Sequence, residues 1–211
     1  MTIQKATLAA ASILLYTAPF FVLIASSVFF GEKITGRKVS ALLLAFAGCV
    51  LVSGFAGGQM SKIAVLPGVG SGVGYALYSI LGSIALRKYA PFTVIFYAFS
   101  VAAICLLPFS DPGKIVLAVT GDGIVFVKAV ALGIVSTFLP FVFYTDGLRR
   151  IEAGKASVLA FAEPMVATLS GIIVFGEKLR FQSALGILLI FGAIVLLNVK
   201  IGVPFRSSLR S

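Results

Sequence analysis

The sequence predicts an all-α polytopic membrane protein of about seven transmembrane helices. Three observations carry this. Hydrophobic residues make up 60% of the 211-residue chain and charged residues 11%, against about half and about a quarter in ordinary soluble domains. The mean hydropathy is +1.13, that of a chain whose solvent is lipid. The basic residues fall in short clusters between long apolar runs, as in the loops of a membrane protein. Soluble enzymes, disordered tails and coiled coils are set aside by the same pattern. The two cysteines are too few to staple a small domain, and both sit in apolar runs, where cysteine packs as a small hydrophobe.

A bilayer core is crossed by about 20 mostly apolar residues. The first such run is Ala6–Phe30, closed by the charged turn Gly31-Glu32-Lys33. It is longer than a signal-peptide core of about 7–15 residues and has no small-residue cleavage site, so it reads as a mature helix. The second run is Val39–Ala56, bounded by the turn-rich Ser53–Gly58. The third is Ala64–Leu86, ending at Arg87-Lys88, and the fourth is Pro91–Phe109, ending at Ser110–Gly113. The stretch Lys114–Gly123 has only Ile115–Val119 as its apolar part, too short to span, and is expected to be a loop or interfacial segment. The fifth run is Ile124–Tyr144, the sixth Ala156–Phe175 and the seventh Ser183–Val199. The runs are too long for strands and lack the alternation of a membrane barrel.

The chain resembles itself. A shift of 145 residues places Ala11, Ser12 and Leu14 on Ala156, Ser157 and Leu159, and Pro19 on Pro164. The same shift places Phe30-Gly31-Glu32-Lys33 on Phe175-Gly176-Glu177-Lys178. Apolar matches are cheap in such a chain; a proline and a four-residue turn in one register are not. The copies are spans one and two against spans six and seven. A displacement of five spans reverses the orientation in the bilayer, which is the inverted repeat typical of secondary transporters. Two similar hairpins arising by chance or packing need are the alternative.

On the repeat reading, residues 1–57 hold the last two helices of an incomplete first repeat. Residues 58–201 hold a complete five-helix second repeat, and 202–211 form a basic tail. The chain is then expected to be the C-terminal part of a ten-helix inverted-repeat protein, with three spans missing ahead of Met1. Placing the C-terminus in the cytoplasm puts 11 basic residues on that side and 6 on the other, as the positive-inside rule prefers.

The segment YTDGLRRIEAGKASVLAFAEPMVATLSGIIVFGE, from Tyr144 to Glu177, resembles the signature of EamA-type permeases of the drug/metabolite transporter superfamily. LYTAPFFVLIASSVFFGEK is similar to the matching end of that family's first repeat, and GVGSGVGYALYSILGSIALRK to the start of its second. The resemblance covers nearly the whole chain. It implies ten helices in two inverted repeats with cytoplasmic ends, in a bacterial-type plasma membrane. It also implies transport of a small metabolite such as an amino acid, commonly outward. The sequence departs from the family in lacking the first three spans, so transport by these residues alone is not expected. A non-transporting membrane fragment or interaction subunit is the other reading.

Glu163 is the one carboxylate well inside a span. Such groups are costly in lipid and face a cavity or a partner. Proton coupling or contact with a substrate amine is one role; bonding to neighbouring hydroxyls or to the Arg149/Arg150 segment is the other. The first copy has Ala18 at this place. Tyr75, Tyr78 and Tyr144 are polar tips in apolar helices and join Glu163 as candidate substrate-pathway residues, with Tyr75 and Tyr78 sharing a face. Pro19 and Pro164 lack an N–H and free the carbonyls of Leu15 and Ala160. They mark matched helix kinks. Gly70 and Gly74 have the GxxxG spacing of a close helix contact. Asp146, Arg149, Arg150, Glu152 and Lys155 read as a solvated, salt-bridged linker.

No histidine is present, which removes His-dependent triads and imidazole metal ligation. No GxxxxGK[ST] loop marks an ATP site. No catalytic residue, metal or cofactor is expected. The expected partners are the lipid bilayer and a small-molecule substrate, without nucleic acid, and a homo-oligomer is left open.

Overall fold

The computed structural model describes residues 12–54 and 62–199. Among these residues there are helices and turns and no strand. In chain order the helices are α1 (Ser12–Phe30), α2 (Gly36–Val52), α3 (Lys62–Ala85) and α4 (Pro91–Leu106, extended by a 3₁₀ turn to Phe109). They continue as α5 (Pro112–Gly121), α6 (Gly123–Arg150), α7 (Ala153–Phe175) and α8 (Phe181–Asn198). Six of them, α1, α3, α4, α6, α7 and α8, are long and apolar enough to cross a bilayer. Phe109, Phe181, Ile173 and Phe175 are among many large apolar side chains left on the outside, a surface suited to lipid. The protein is an all-α polytopic membrane protein.

The expected span Val39–Ala56 is the helix α2, of 17 residues. At 1.5 Å per residue it rises about 26 Å, a little under a core of about 30 Å. Phe55 and Ala56 lie outside the described residues, as do residues 200–211 and with them the basic tail. The stretch Lys114–Gly123, expected to be a loop or interfacial segment, lies mostly in the short helix α5 (Pro112–Gly121). The Asp111 side chain starts it by accepting from the Lys114 N–H at 3.2 Å, a cap that an apolar-run count does not register. The linker is also more helical than expected. Asp146 to Arg150 are the last turns of α6, where Asp146 and Arg150 pair at 2.8 Å, and only Ile151 and Glu152 separate α6 from α7.

The helices that carry Pro19 and Pro164 are each interrupted just before that proline, whereas α3 runs unbroken through Pro67. α1 breaks at Tyr16–Thr17 and α7 at Ala160–Phe161. The Thr17 hydroxyl donates to the Leu14 carbonyl at 2.6 Å. The Ala160 carbonyl accepts from the Glu163 N–H at 3.0 Å, so Pro164 does not leave it free. A third irregularity lies in α6, which runs as a π-helix over Leu132–Phe138. Pro140 has no N–H and crowds the Ser136 carbonyl; the wider turn before it makes room.

The centre of the molecule is the pairing of α2 with α8. A Cβ on Gly48 would lie 2.6 Å from the Gly186 carbonyl oxygen, and one on Gly186 would lie 2.6 Å from that of Gly48. Gly48 also faces Ile190, and Gly186 also faces Val52. Partners thus ascend on one helix as they descend on the other, so the two run antiparallel. The Arg37 guanidinium, at the start of α2, donates to the Val199 carbonyl just past α8. Leu42, Ala45 and Cys49 of α2 share one buried cluster with Ile190 and Ala193 of α8 and with Val158 and Phe161 of α7.

Gly70 and Gly74 do not make the expected close contact: a Cβ on either would meet nothing within 4 Å. The packed pair on α3 is Gly68 and Gly72, where a Cβ would lie 2.5 Å from Leu14 and 3.0 Å from the Thr17 hydroxyl. Both pairs have the four-residue spacing of GxxxG. In a GxGxGxG run the spacing alone does not choose between the two faces.

Candidate functional site

The break in α7 opens onto a cavity of 600 Å³ bounded by α3, α6 and α7. Tyr75, Ser136, Phe141, Tyr144, Ala160 and Glu163 are among its lining residues. Glu163 lies in the first turn of the segment Ala162–Phe175, one residue before Pro164. The positive end of that segment's dipole favours its carboxylate. The Tyr16 hydroxyl, at the break in α1, faces the same carboxylate. The Tyr16 ring stacks on Phe161 with centroids 5.7 Å apart.

The three tyrosines singled out from the sequence come together. The Tyr75 and Tyr144 rings lie 5.4 Å apart, and Tyr78 and Tyr144 6.5 Å apart. The Tyr144 hydroxyl bonds the buried Ser79 hydroxyl at 2.8 Å, and Ser79 donates to the Tyr75 carbonyl at 2.9 Å. The Tyr78 hydroxyl bonds Thr145 at 2.6 Å, and its ring meets Phe141 edge-on at 5.1 Å. Tyr75 and Tyr144 therefore border the cavity with Glu163, while Tyr78 props α3 against α6 behind them. Pro19 and Pro164 are both buried, each within three residues of the break in its helix.

One polar cluster was not expected. The Glu32 carboxylate accepts from the Ala153 N–H at 3.0 Å and the Gly154 N–H at 3.2 Å. Lys38 lies 3.5 Å from Glu32 and 2.8 Å from Glu152, and Lys155 lies 3.3 Å from Glu152. Only 10% of the Glu32 side chain and 6% of the Lys38 side chain are exposed, so the inner half of the network is shielded while Glu152 and Lys155 reach its exposed edge. The network ties the turn after α1 to the first N–H groups of α7, which α7 cannot satisfy itself. Lys38 holds the Glu152 carboxyl below its ordinary range, chiefly through its hydrogen bond, with help from Lys155. The sequence signal for Glu32 was the shared Phe-Gly-Glu-Lys turn; the signal for Tyr16 was its match to Phe161 under the 145-residue shift. Among the described residues no three His, Cys, Asp or Glu side chains converge on a metal site.

Comparison with known proteins bears on this architecture. Residues 1–54 and 62–199 match the model of the EamA-like transporter family. An uncharacterized transporter of Archaeoglobus fulgidus is 31% identical over 94% of this chain and 68% of its own length. A second from the same organism is 34% identical over 93% and 68%. The uncharacterized transporter YxxF of Bacillus subtilis is 27% identical over 88% of this chain and 60% of its own. The chain thus spans about two thirds of the length of such relatives. A solved crystal structure, 23% identical, shares the fold with a TM-score of 0.73 over 90% of this chain and 67% of that one. The chain belongs to the EamA-like transporter family.

Proposed function

We propose that the chain serves secondary transport of a small metabolite, an amino acid or related amine, and that it exports it by alternating access between two inverted repeats. The observation that carries this reading is the stacking of Tyr16 on Phe161. These two positions correspond under the 145-residue shift, and residues that touch their own counterparts lie on the axis relating the copies. The antiparallel pairing of α2 with α8 has the same meaning. An axis in the membrane plane is what lets two copies exchange environments in transport. The 600 Å³ cavity has the size of a small-ligand site. Its mostly apolar wall with one carboxylate and two tyrosine tips suits a compact ammonium-bearing solute. The basic-residue bias supports a cytoplasmic side for the C-terminus and the Glu32 network.

The test is flux of labelled amino acids and amines in membrane vesicles, with Glu163→Gln alongside. Glu163→Gln is expected to lower flux about tenfold or more, the loss of one charge-assisted contact, or to abolish its pH dependence. Unchanged flux would make the carboxylate structural. No saturable flux by the chain, alone or with three further spans ahead of it, would favour a non-transporting membrane subunit. Single cysteines in the Ile151–Glu152 turn, labelled from outside by an impermeant reagent, would reverse the orientation.

A further inference from the structure

Beside the Glu32 network is a second cavity, of 280 Å³, which shares only Ile151 with the lining of the Glu163 cavity. It lies where the ends of α1, α3 and α6 meet the start of α7. Phe30, Ser83, Arg87 and Arg149 line it, together with Glu32 and Glu152. The two carboxylates are already engaged, Glu32 by Lys38 and two backbone N–H groups, Glu152 by Lys38 and Lys155. The two arginines are not: among the described residues no carboxylate pairs with Arg87 or Arg149. The cavity therefore keeps an excess of positive charge.

Two details shape what it can hold. The Arg87 guanidinium lies over the Phe30 ring, 5.1 Å from its centroid. A cation–π contact uses none of the guanidinium's in-plane N–H donors, which are the groups that grip an oxyanion. Ser83 lies in the last turn of α3, four residues before Arg87 in the turn that follows it. Its hydroxyl oxygen is buried and, among the described residues, is the one buried side-chain polar atom without a hydrogen-bond partner. Such a group has a free-energy deficit that a ligand acceptor removes.

We propose that this cavity is a phosphate site, with Arg87 and Arg149 holding the oxyanion and Ser83 donating to it. A phospholipid headgroup and a soluble phosphate share that chemistry. The position favours the lipid: the cavity opens at the ends of membrane-crossing helices, where basic pockets between helices meet anionic headgroups. Leu86, Leu148 and Ile151 supply an apolar wall beside it for the glycerol and first acyl carbons.

The test counts lipids on the purified full chain by native mass spectrometry, with phosphatidylglycerol as probe and phosphatidylcholine as the zwitterionic control. One retained phosphatidylglycerol per chain is expected. Its binding should weaken about tenfold in Arg87→Gln/Arg149→Gln and about threefold in Ser83→Ala. It should not change in Lys114→Gln/Arg180→Gln, which removes as much charge elsewhere. A second arm adds millimolar inorganic phosphate at constant ionic strength. Displacement of the lipid, with a higher melting temperature lost in Ser83→Ala, assigns the site to the free anion as well; no displacement assigns it to the lipid. Ser83→Ala removes a hydroxyl alone, so it decides the matter even where the double variant does not fold. Equal phosphatidylglycerol binding by wild type and Ser83→Ala, with no response to phosphate, overturns the proposal.

Discussion

Glu32 and Glu177 occupy the same place in two similar hairpins, yet Glu32 is buried against the start of α7 while Glu177 is exposed. The turns themselves do not differ. Gly31 and Gly176 each close their helix at φ +66°, with ψ 21° and 24°, a conformation that glycine adopts without strain. The contrast lies in what each carboxylate meets. Glu32 reaches the N–H groups of Ala153 and Gly154 and has Lys38 beside it. The match of Lys38 in the second copy is Ser183, and the matches of Ala153 and Gly154 are Leu8 and Ala9, outside the described residues. The Glu177 carboxylate instead folds back along its own helix, its oxygen 2.9 Å from where a Cβ on Gly171 would be. The same local sequence makes the same turn, and tertiary surroundings decide whether its charge is a structural tie. On the proposed mechanism the two copies exchange environments, so the Glu32 tie must open for the far conformation to form.

The strongest way to break this comparison is to remove each carboxylate in turn. Glu32→Ala leaves two N–H groups at the start of α7 unpaired and Lys38 with one partner. It should cost about 2–4 kcal/mol, a fall in melting temperature on the order of 10 °C in detergent. Glu177→Ala should change stability by less than about 0.5 kcal/mol, as for an exposed site. Equal effects in a thermal unfolding assay would mean that the two hairpins are equivalent in solution.

A second comparison sits in the pairing of α2 with α8. Gly48 corresponds to Ala193 and Gly186 to Ala41, so each copy carries the glycine where the other has alanine. A Cβ on Gly48 or Gly186 would sit 2.6 Å from a backbone oxygen, and helix backbones cannot yield as a side chain does. Gly48→Ala and Gly186→Ala are expected to destabilise by about 1–3 kcal/mol each. Gly192→Ala, with nothing within 4 Å of its new methyl, is the control and should be neutral or slightly stabilising. Loss of a single elution peak for Gly192→Ala, with Gly48→Ala unaffected, would place the close crossing elsewhere.

The spans were legible because lipid imposes one rule on every helix that crosses it, and long apolar runs obey it. Pro19 and Pro164 were singled out because proline removes an N–H, yet the missing N–H alone does not fix a break, since α3 runs unbroken through Pro67. The cavity residues Tyr75, Tyr144 and Glu163 were visible as polar groups in apolar surroundings. Tyr16 was not, because its role depends on the break in α1 facing the break in α7. The choice of Gly68 and Gly72 over Gly70 and Gly74 depends on which face of α3 meets α1, and periodicity is blind to it. That α5 does not span was legible in its short apolar run, but that it is a helix was not, since ten residues give too little period to separate a helix from a loop. The Glu32 network was hidden by distance along the chain: its carboxylate and its N–H partners are more than a hundred residues apart.

The smallest expected effect concerns the outer member of that network. Lys38 bonds the Glu152 carboxyl and, with Lys155 beside it, holds its pKa below the ordinary value of 4.5. The sign follows from linkage. A carboxyl whose folded pKa is depressed adds stability at pH above its unfolded value and loses it as pH falls through the folded one. Glu152 therefore contributes fully at neutral pH, and its share fades only below about pH 4.5. Its side chain is 45% exposed, so solvent screens the pair and the contribution is below about 1 kcal/mol. Glu152→Gln should lower the melting temperature slightly at pH 7, and the difference should shrink as pH falls below about 4.5 and the wild-type group takes up its proton. Melting curves across that range separate this from Glu32→Ala, which also removes both hydrogen bonds to the start of α7 and should stay destabilised throughout. A Glu152→Gln difference that persists undiminished at pH 3 would show that the side chain acts through packing rather than charge.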